Sequence, residues 1–297
     1  MNKPSPLPHD DDTRWPGQLA AIDMGSNSFR LEIAQLDQGR YRRVDYLKET
    51  VRLGGGLDAN GLLTEEAAQR GLACLARFAQ RLKGFASTQV RAVATQTLRE
   101  ARNRDAFLAR AQTVLGHPIE VISGREEARL IYAGVAHLQP GEGRRLVVDI
   151  GGGSTELIIG EQFEPQQLES LYMGCVSLTR RFFDAERIRE RALHEADLSV
   201  RMELEPVEAG FRDAAWDEAI GASGTIKAIR DVLVASDPAR ALCPEAAPLR
   251  GLTVEERKDR KDGGQEPVQA LVALEDPSGP VMAARSGERG RFSLCPR

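Results

Sequence analysis

At 297 residues with a formal net charge of −4, the chain has room for two domains and lacks the basic footprint of a general nucleic-acid binder. Its hydrophobic fraction of 41% and charged fraction of 28% are ordinary for a globular protein, and no apolar run approaches the roughly 20 residues that span a bilayer. Cys74, Cys175, Cys243 and Cys295 form no CxxC pair, so reduced thiols in a cytoplasmic protein are expected.

The start of the chain is rich in proline and carries Asp10, Asp11 and Asp12. It has no apolar core, so 1–17 reads as a disordered extension, not a targeting segment. From Gln18 an apolar run ends in Asp23, a Met24-Gly25-Ser26-Asn27 turn follows, and Phe29, Leu31, Ile33 and Leu36 continue the pattern. Strand–turn–strand is the simplest reading. Tyr41 to Leu53 supplies a third strand. Thr64 is a natural N-cap with Glu65 and Glu66 in the first turn, and Ala68, Leu72, Leu75, Ala79 and Leu82 form a helical stripe. Val90 to Thr95 reads as a strand, Thr97 to Leu115 as one helix, and His117 to Ile122 as another strand. Ser123-Gly124-Arg125-Glu126 has the capping-box pattern, and Ala128, Ile131, Val135 and Leu138 follow on one helical face. The first lobe is therefore expected over 18–138.

After Gln139-Pro140-Gly141 the strand–turn–strand theme restarts, with Arg145 to Asp149, then Gly151-Gly152-Gly153-Ser154, then Thr155 to Ile159. This second lobe is expected over 144–250. It continues with strand material near Leu168 to Met173, a charged helix from Ala185 to about Gly210, strand Glu218-Ala219-Ile220, and a helix from Ser223. Residues 251–297 are charged or rich in Gly, Arg and Ser, and a poorly ordered tail is expected there; only Val268 to Leu274 looks fit for a core.

Three loops carry chemistry. In Asp149-Ile150-Gly151-Gly152-Gly153-Ser154-Thr155-Glu156, successive glycines let the backbone approach a phosphate, and Asp149 and Glu156 flank the loop where both can serve a hard cation. Neither a Rossmann loop nor a P-loop matches its spacing. Asp23 with Gly25, Ser26 and Asn27 makes a similar, plainer turn, which a simple hairpin would also explain. Gly221-Ala222-Ser223-Gly224-Thr225 places small residues at a helix N-terminus, where anions are favoured.

In this order, these loops together with Thr95-Gln96-Thr97-Leu98-Arg99-Glu100, Ser123-Gly124-Arg125-Glu126-Glu127-Ala128-Arg129-Leu130 and Met173-Gly174-Cys175-Val176-Ser177 resemble the exopolyphosphatase and guanosine pentaphosphate phosphohydrolase family, more closely its exopolyphosphatases. The resemblance implies an α/β protein of the actin-like ATPase superfold: two ribonuclease-H-like lobes with a cleft between them. The second lobe is expected to be incomplete, since no closing Asp-Gly-Ala-Leu-Arg-Glu-Gly loop is found. It further implies Mg2+-dependent release of terminal phosphate from inorganic polyphosphate. Asp23, Asp149 and Glu156 would serve the metal. Ser26, Asn27, Arg99, Gly152, Gly153, Ser154, Ser223 and Gly224 would hold phosphate, and Glu126 would be the catalytic base, with Glu156 beside it. Glu126 also sits where a capping-box residue belongs, and spacing does not separate it from Glu127. Guanosine pentaphosphate remains an alternative substrate. So do a kinase of the same superfold, a non-catalytic polyphosphate or alarmone sensor, and a homodimeric state.

Overall fold

The computed structural model describes residues 17–37, 40–183, 188–236, 282–287 and 291–296. Almost all of the expected N-terminal extension lies outside these residues, as do Val268 to Leu274. The chain divides into two compact units, Met1–Ser123 and Gly124–Arg297.

In the first unit, β1 (Gln18–Met24), β2 (Ser28–Asp37) and β3 (Arg40–Thr50) form an antiparallel meander. Strands β4 (Val90–Ala94) and β5 (Ile119–Val121) extend it in parallel, giving the order β3-β2-β1-β4-β5 of a ribonuclease-H-like lobe. Ala20, Ile22 and Met24 alternate inward along β1, as a half-buried strand requires. Helix α1 (Glu65–Arg81) starts at Thr64, whose Oγ1 accepts the Ala67 N–H at 3.4 Å. It buries Ala68, Leu72, Leu75 and Phe78 against the sheet, at about 1.5–3 kcal/mol for each large side chain. The single helix expected over Thr97 to Leu115 is two: α2 (Gln96–Glu100) and α3 (Arg104–Leu115). Asn103 causes the break. Its amide donates to the Leu63 carbonyl at 2.9 Å and its carbonyl accepts the Leu63 N–H at 2.8 Å, which pulls the chain out of helical register.

The second unit repeats the arrangement. Helix α4 (Gly124–Leu138) is followed by β6 (Arg144–Ile150), β7 (Thr155–Glu161) and β8 (Glu164–Leu171). Helices α5 (Cys175–Phe182) and α6 (Glu190–Asp213), strand β9 (Glu218–Ala222) and helix α7 (Ser223–Ser236) come next. Strands β6, β7 and β8 are antiparallel neighbours and β9 runs parallel to β6. Helix α5 is an element the sequence reading left out; at 8 residues it is too short for a clear apolar stripe.

Two boundaries differ from expectation. Helix α4 belongs to the second unit, not the first: Ala128, Tyr132, Val135 and Ala136 pack on Val147, Ile158 and Ile220. The helix follows the first sheet in sequence but buries its stripe on the next. Within 251–297, where no regular element was expected, β10 (Met282–Gly287) and β11 (Arg291–Pro296) form a hairpin antiparallel to β9. The second sheet is therefore ordered β11-β10-β9-β6-β7-β8, and β9 finds backbone partners on both sides.

Candidate active site

The first hairpin and the second are built alike. In β1–β2 the Gly25 N–H donates to the Ser28 carbonyl at 3.2 Å, and in β6–β7 the Gly151 N–H donates to the Ser154 carbonyl at 2.9 Å. Asp23 lies opposite Arg30 across the first pair, and Asp149 lies opposite Glu156 across the second. The duplication visible in the sequence is thus a duplication of register.

The halves diverge at that opposite position. Asp23 accepts from the Arg30 guanidinium at 3.1 Å, so this carboxylate already has a cationic partner. Ser26 is buried and accepts from the Thr97 hydroxyl at 2.8 Å, which fastens the turn to the start of α2. Asn27 uses its carbonyl to accept the N–H groups of Val51 and Arg52 at 3.0 and 2.8 Å. Arg99 donates to the Ile122 carbonyl at 3.1 Å, tying α2 to the end of β5.

In the second unit Asp149 and Glu156 are directly opposed, which sets their Cβ atoms about 4.5–5.5 Å apart on one face of the sheet. Ala222 and Ser170 continue the same row on β9 and β8. Glu156 is only 1% exposed. Burial, then the negative charge of Glu127, then that of Asp149 push its carboxyl up from 4.5 to about 8. Hydrogen bonds from Ser154 and from the Ser170 hydroxyl, at 2.8 Å, act the other way. A carboxylate with two acidic neighbours in a buried place is one that a cation or a proton must accompany.

Glu127 is thus near enough for its charge to bear on Glu156. The Glu126 carboxylate is held by both Nε and Nη2 of Arg129, at 2.7 and 2.8 Å, in an exposed pair one turn along α4. The two glutamates are adjacent in the first turn of α4 and about 100° apart around the helix.

The glycine turn is fixed from behind. The Cys175 N–H donates to the Gly151 carbonyl at 3.0 Å, and the Val176 and Ser177 N–H groups donate to Gly152 at 2.8 and 3.1 Å. A Cβ at Gly174 would run into the backbone of Gly152 and Gly153. The Gly151 and Gly152 carbonyls are thereby committed to the first turn of α5. Ser223 takes a left-handed backbone at φ 75° and donates its hydroxyl to the Ile150 carbonyl at 2.8 Å. The Thr225 hydroxyl contacts the Cys175 thiol at 3.3 Å. Ser223 thus fastens the β6 end, and Gly224 follows in the first turn of α7. The motif Met173-Gly174-Cys175-Val176-Ser177 was legible only by resemblance; no local pattern shows that its amides would hold another loop's carbonyls.

Among the described residues, no group of three His, Cys, Asp or Glu side chains is arranged to hold an ion alone. Mg2+ commonly needs only one or two carboxylates, with water and phosphate oxygens completing its octahedron. Asp149 and Glu156 fit that mode, and the excess of negative charge around Glu156 suits it.

The profile of the Ppx/GppA phosphatase family matches residues 32–247. The chain belongs to the Ppx/GppA phosphatase family. Among its relatives in that family, a protein of Vibrio vulnificus named guanosine-5'-triphosphate,3'-diphosphate pyrophosphatase is 48% identical over 216 residues, covering 73% of this chain and 44% of the relative. A Haemophilus influenzae protein with the provisional name exopolyphosphatase is 46% identical over 222 residues, covering 74% of this chain and 69% of that protein. The chain thus spans less than half the length of the first relative. Solved Ppx/GppA structures are also similar. An exopolyphosphatase from Cytophaga hutchinsonii gives a TM-score of 0.68 at 29% identity, covering 80% of this chain and 73% of that one. The Aquifex aeolicus PPX-GPPA enzyme gives 0.58 at 33% identity, covering 70% and 68%. No helix among the described residues is long and apolar enough to cross a membrane.

Proposed function

We propose that this chain is a phosphoanhydride hydrolase that releases terminal phosphate from inorganic polyphosphate. The observation carrying the proposal is the gathering of Asp149, Glu156 and Glu127 beside a glycine turn whose carbonyls are held from behind. That turn offers amides to an anion while the acids offer a seat for Mg2+ and an acceptor for a proton.

In the reaction a water oxygen attacks the terminal phosphorus in line, the P–O bond to the next phosphate breaks, and the shortened chain leaves. The amides of Gly152, Gly153 and Ser154 orient the phosphoryl oxygens, and little covalent chemistry falls to the protein. Mg2+, when bound, supplies charge neutralisation for those oxygens and would be held by Asp149 and Glu156. Glu127 takes the water's proton, in place of the Glu126 assignment drawn from resemblance, because Glu126 is committed to Arg129.

The 48% identity to the guanosine pyrophosphatase relative favours a second reading, in which guanosine pentaphosphate is the preferred substrate. Phosphate release from long-chain polyphosphate and from guanosine pentaphosphate, compared as kcat/KM, decides between them. For the base, Glu127→Gln is expected to lower kcat by about 10²–10⁴ at unchanged fold, and Glu126→Gln by less than about threefold. A large loss confined to Glu126→Gln returns the base to Glu126.

A further inference from the structure

The two hairpins differ again one strand further out. In the first sheet Asp23, Arg30 and Lys48 stand in one row across β1, β2 and β3. The matching row across β6, β7 and β8 is Asp149, Glu156 and Ser170. The first row holds two cations beside one acid. The second holds two acids and, at the third place, an uncharged hydroxyl. Residues so opposed on neighbouring strands lie about 4.5–5.5 Å apart at Cβ, so the third residue bears directly on the second.

Ser170 has the chemistry for that place. Its hydroxyl donates to Oε1 of Glu156 at 2.8 Å. Glu156 is almost wholly buried, so bulk water does not readily replace that donor. The bond favours the ionised carboxylate against burial and against the charges of Glu127 and Asp149, and Ser154 acts in the same direction. A hydroxyl does this without a charge of its own, whereas an ammonium, as on Lys48 in the first row, would neutralise the carboxylate permanently. The strand end that carries Ser170 is itself pinned. The Thr155 hydroxyl donates to the Met173 carbonyl at 2.6 Å, and the Tyr172 N–H donates to Oε1 of Glu203 at 2.8 Å. Ser170 thereby keeps its register with Glu156 although β8 ends the described sheet.

We propose that Ser170 is a positioning residue: it holds one oxygen of Glu156 so that this carboxylate and Asp149 present a preformed seat to a divalent cation. The inference rests on the reading of Asp149 and Glu156 as the Mg2+ seat, and it adds the residue that makes one seat of two mutually repelling acids. Groups that hydrogen-bond to a ligating carboxylate typically contribute about 10–100-fold to metal affinity. Acting through Glu156 and not on the reacting atoms, Ser170 should show its effect in the affinity for the ion and not in kcat.

The test uses the full chain and equilibrium binding of Mg2+ without substrate, followed by calorimetry, beside phosphate release from long-chain polyphosphate over a Mg2+ titration. Ser170→Ala is expected to bind Mg2+ about 10–100-fold more weakly, and its kcat at saturating Mg2+ should stay within about threefold of the parent. Ser170→Thr keeps the hydroxyl and should bind Mg2+ within about threefold of the parent. Ser170→Lys copies the first row. It should bind no Mg2+ at concentrations that saturate the parent, while its urea midpoint without metal at about pH 9 exceeds the parent's. Parent-like Mg2+ affinity in Ser170→Ala overturns the assignment, and so does an equal loss in Ser170→Thr. A lowered urea midpoint with unchanged Mg2+ affinity gives Ser170 a structural role instead. If Ser170→Ala fails to fold, Ser170→Lys decides, since parent-like Mg2+ binding there overturns the proposal. Glu156→Gln separates this inference from the reading beneath it. Parent-like Mg2+ binding in Glu156→Gln refutes the seat itself, whereas a loss there with none in Ser170→Ala refutes the role of Ser170 alone.

Discussion

Glu156 offers the sharpest test of the acid cluster. Its carboxyl is pushed from 4.5 to about 8 by burial and by Glu127 and Asp149, and at about 1.36 kcal/mol per pH unit this corresponds to about 5 kcal/mol. The folded pKa lies above the unfolded one. In the metal-free protein, the stability linked to this proton is therefore complete below 4.5 and is lost as pH rises through about 8. Relaxation of the site and entry of water reduce the effect, so about 2–5 kcal/mol is expected. Glu156→Gln has no proton to lose. Urea unfolding with a chelator from about pH 5 to about pH 9 should therefore show the variant gaining on the parent by that amount across the range. Saturating Mg2+ at the alkaline end should restore the parent, by about 2.7 kcal/mol at a hundredfold excess over Kd, and leave the variant unmoved. Parallel stability curves for the two proteins would falsify the assignment of Glu156 as a buried, charge-crowded acid.

Two further substitutions probe the hairpins. Gly174→Ala forces a methyl into the backbone of Gly152 and Gly153. It should cost about 3 kcal/mol in urea unfolding, the upper end for overpacking, and abolish phosphate release; a stable, active variant would show that the turn is not held tightly. Ser26→Ala removes the buried acceptor of the Thr97 hydroxyl and should cost about 1–3 kcal/mol, read as a lower urea midpoint with an unchanged slope.

Much of this was written in the spacing of the chain. Asp23 to Arg30 and Asp149 to Glu156 are each seven residues apart around a glycine turn, and the equal turn length makes both pairs register partners. Thr64 and its apolar stripe gave α1 directly. Other features had no local signature. The stripe on α4 shows that the helix buries a face, but not which sheet receives it. Glu126 and Glu127 share the first turn of α4, and the partner that captures one of them, Arg129, is as ordinary a surface residue as any on the helix. The break at Asn103 depends on Leu63, 40 residues away. The support of the glycine turn by α5 depends on a contact between backbones, to which side-chain patterns are blind.

The single exchange of Arg30 for Glu156 at matching places gives two copies of one hairpin opposite temperaments. The earlier copy pairs its acid with a guanidinium within the same hairpin. The later copy sets two acids across from each other, and burial with its acidic neighbours keeps one of them protonated to higher pH. One scaffold, used twice, thus carries an ion pair in one place and a pair of opposed acids in the other.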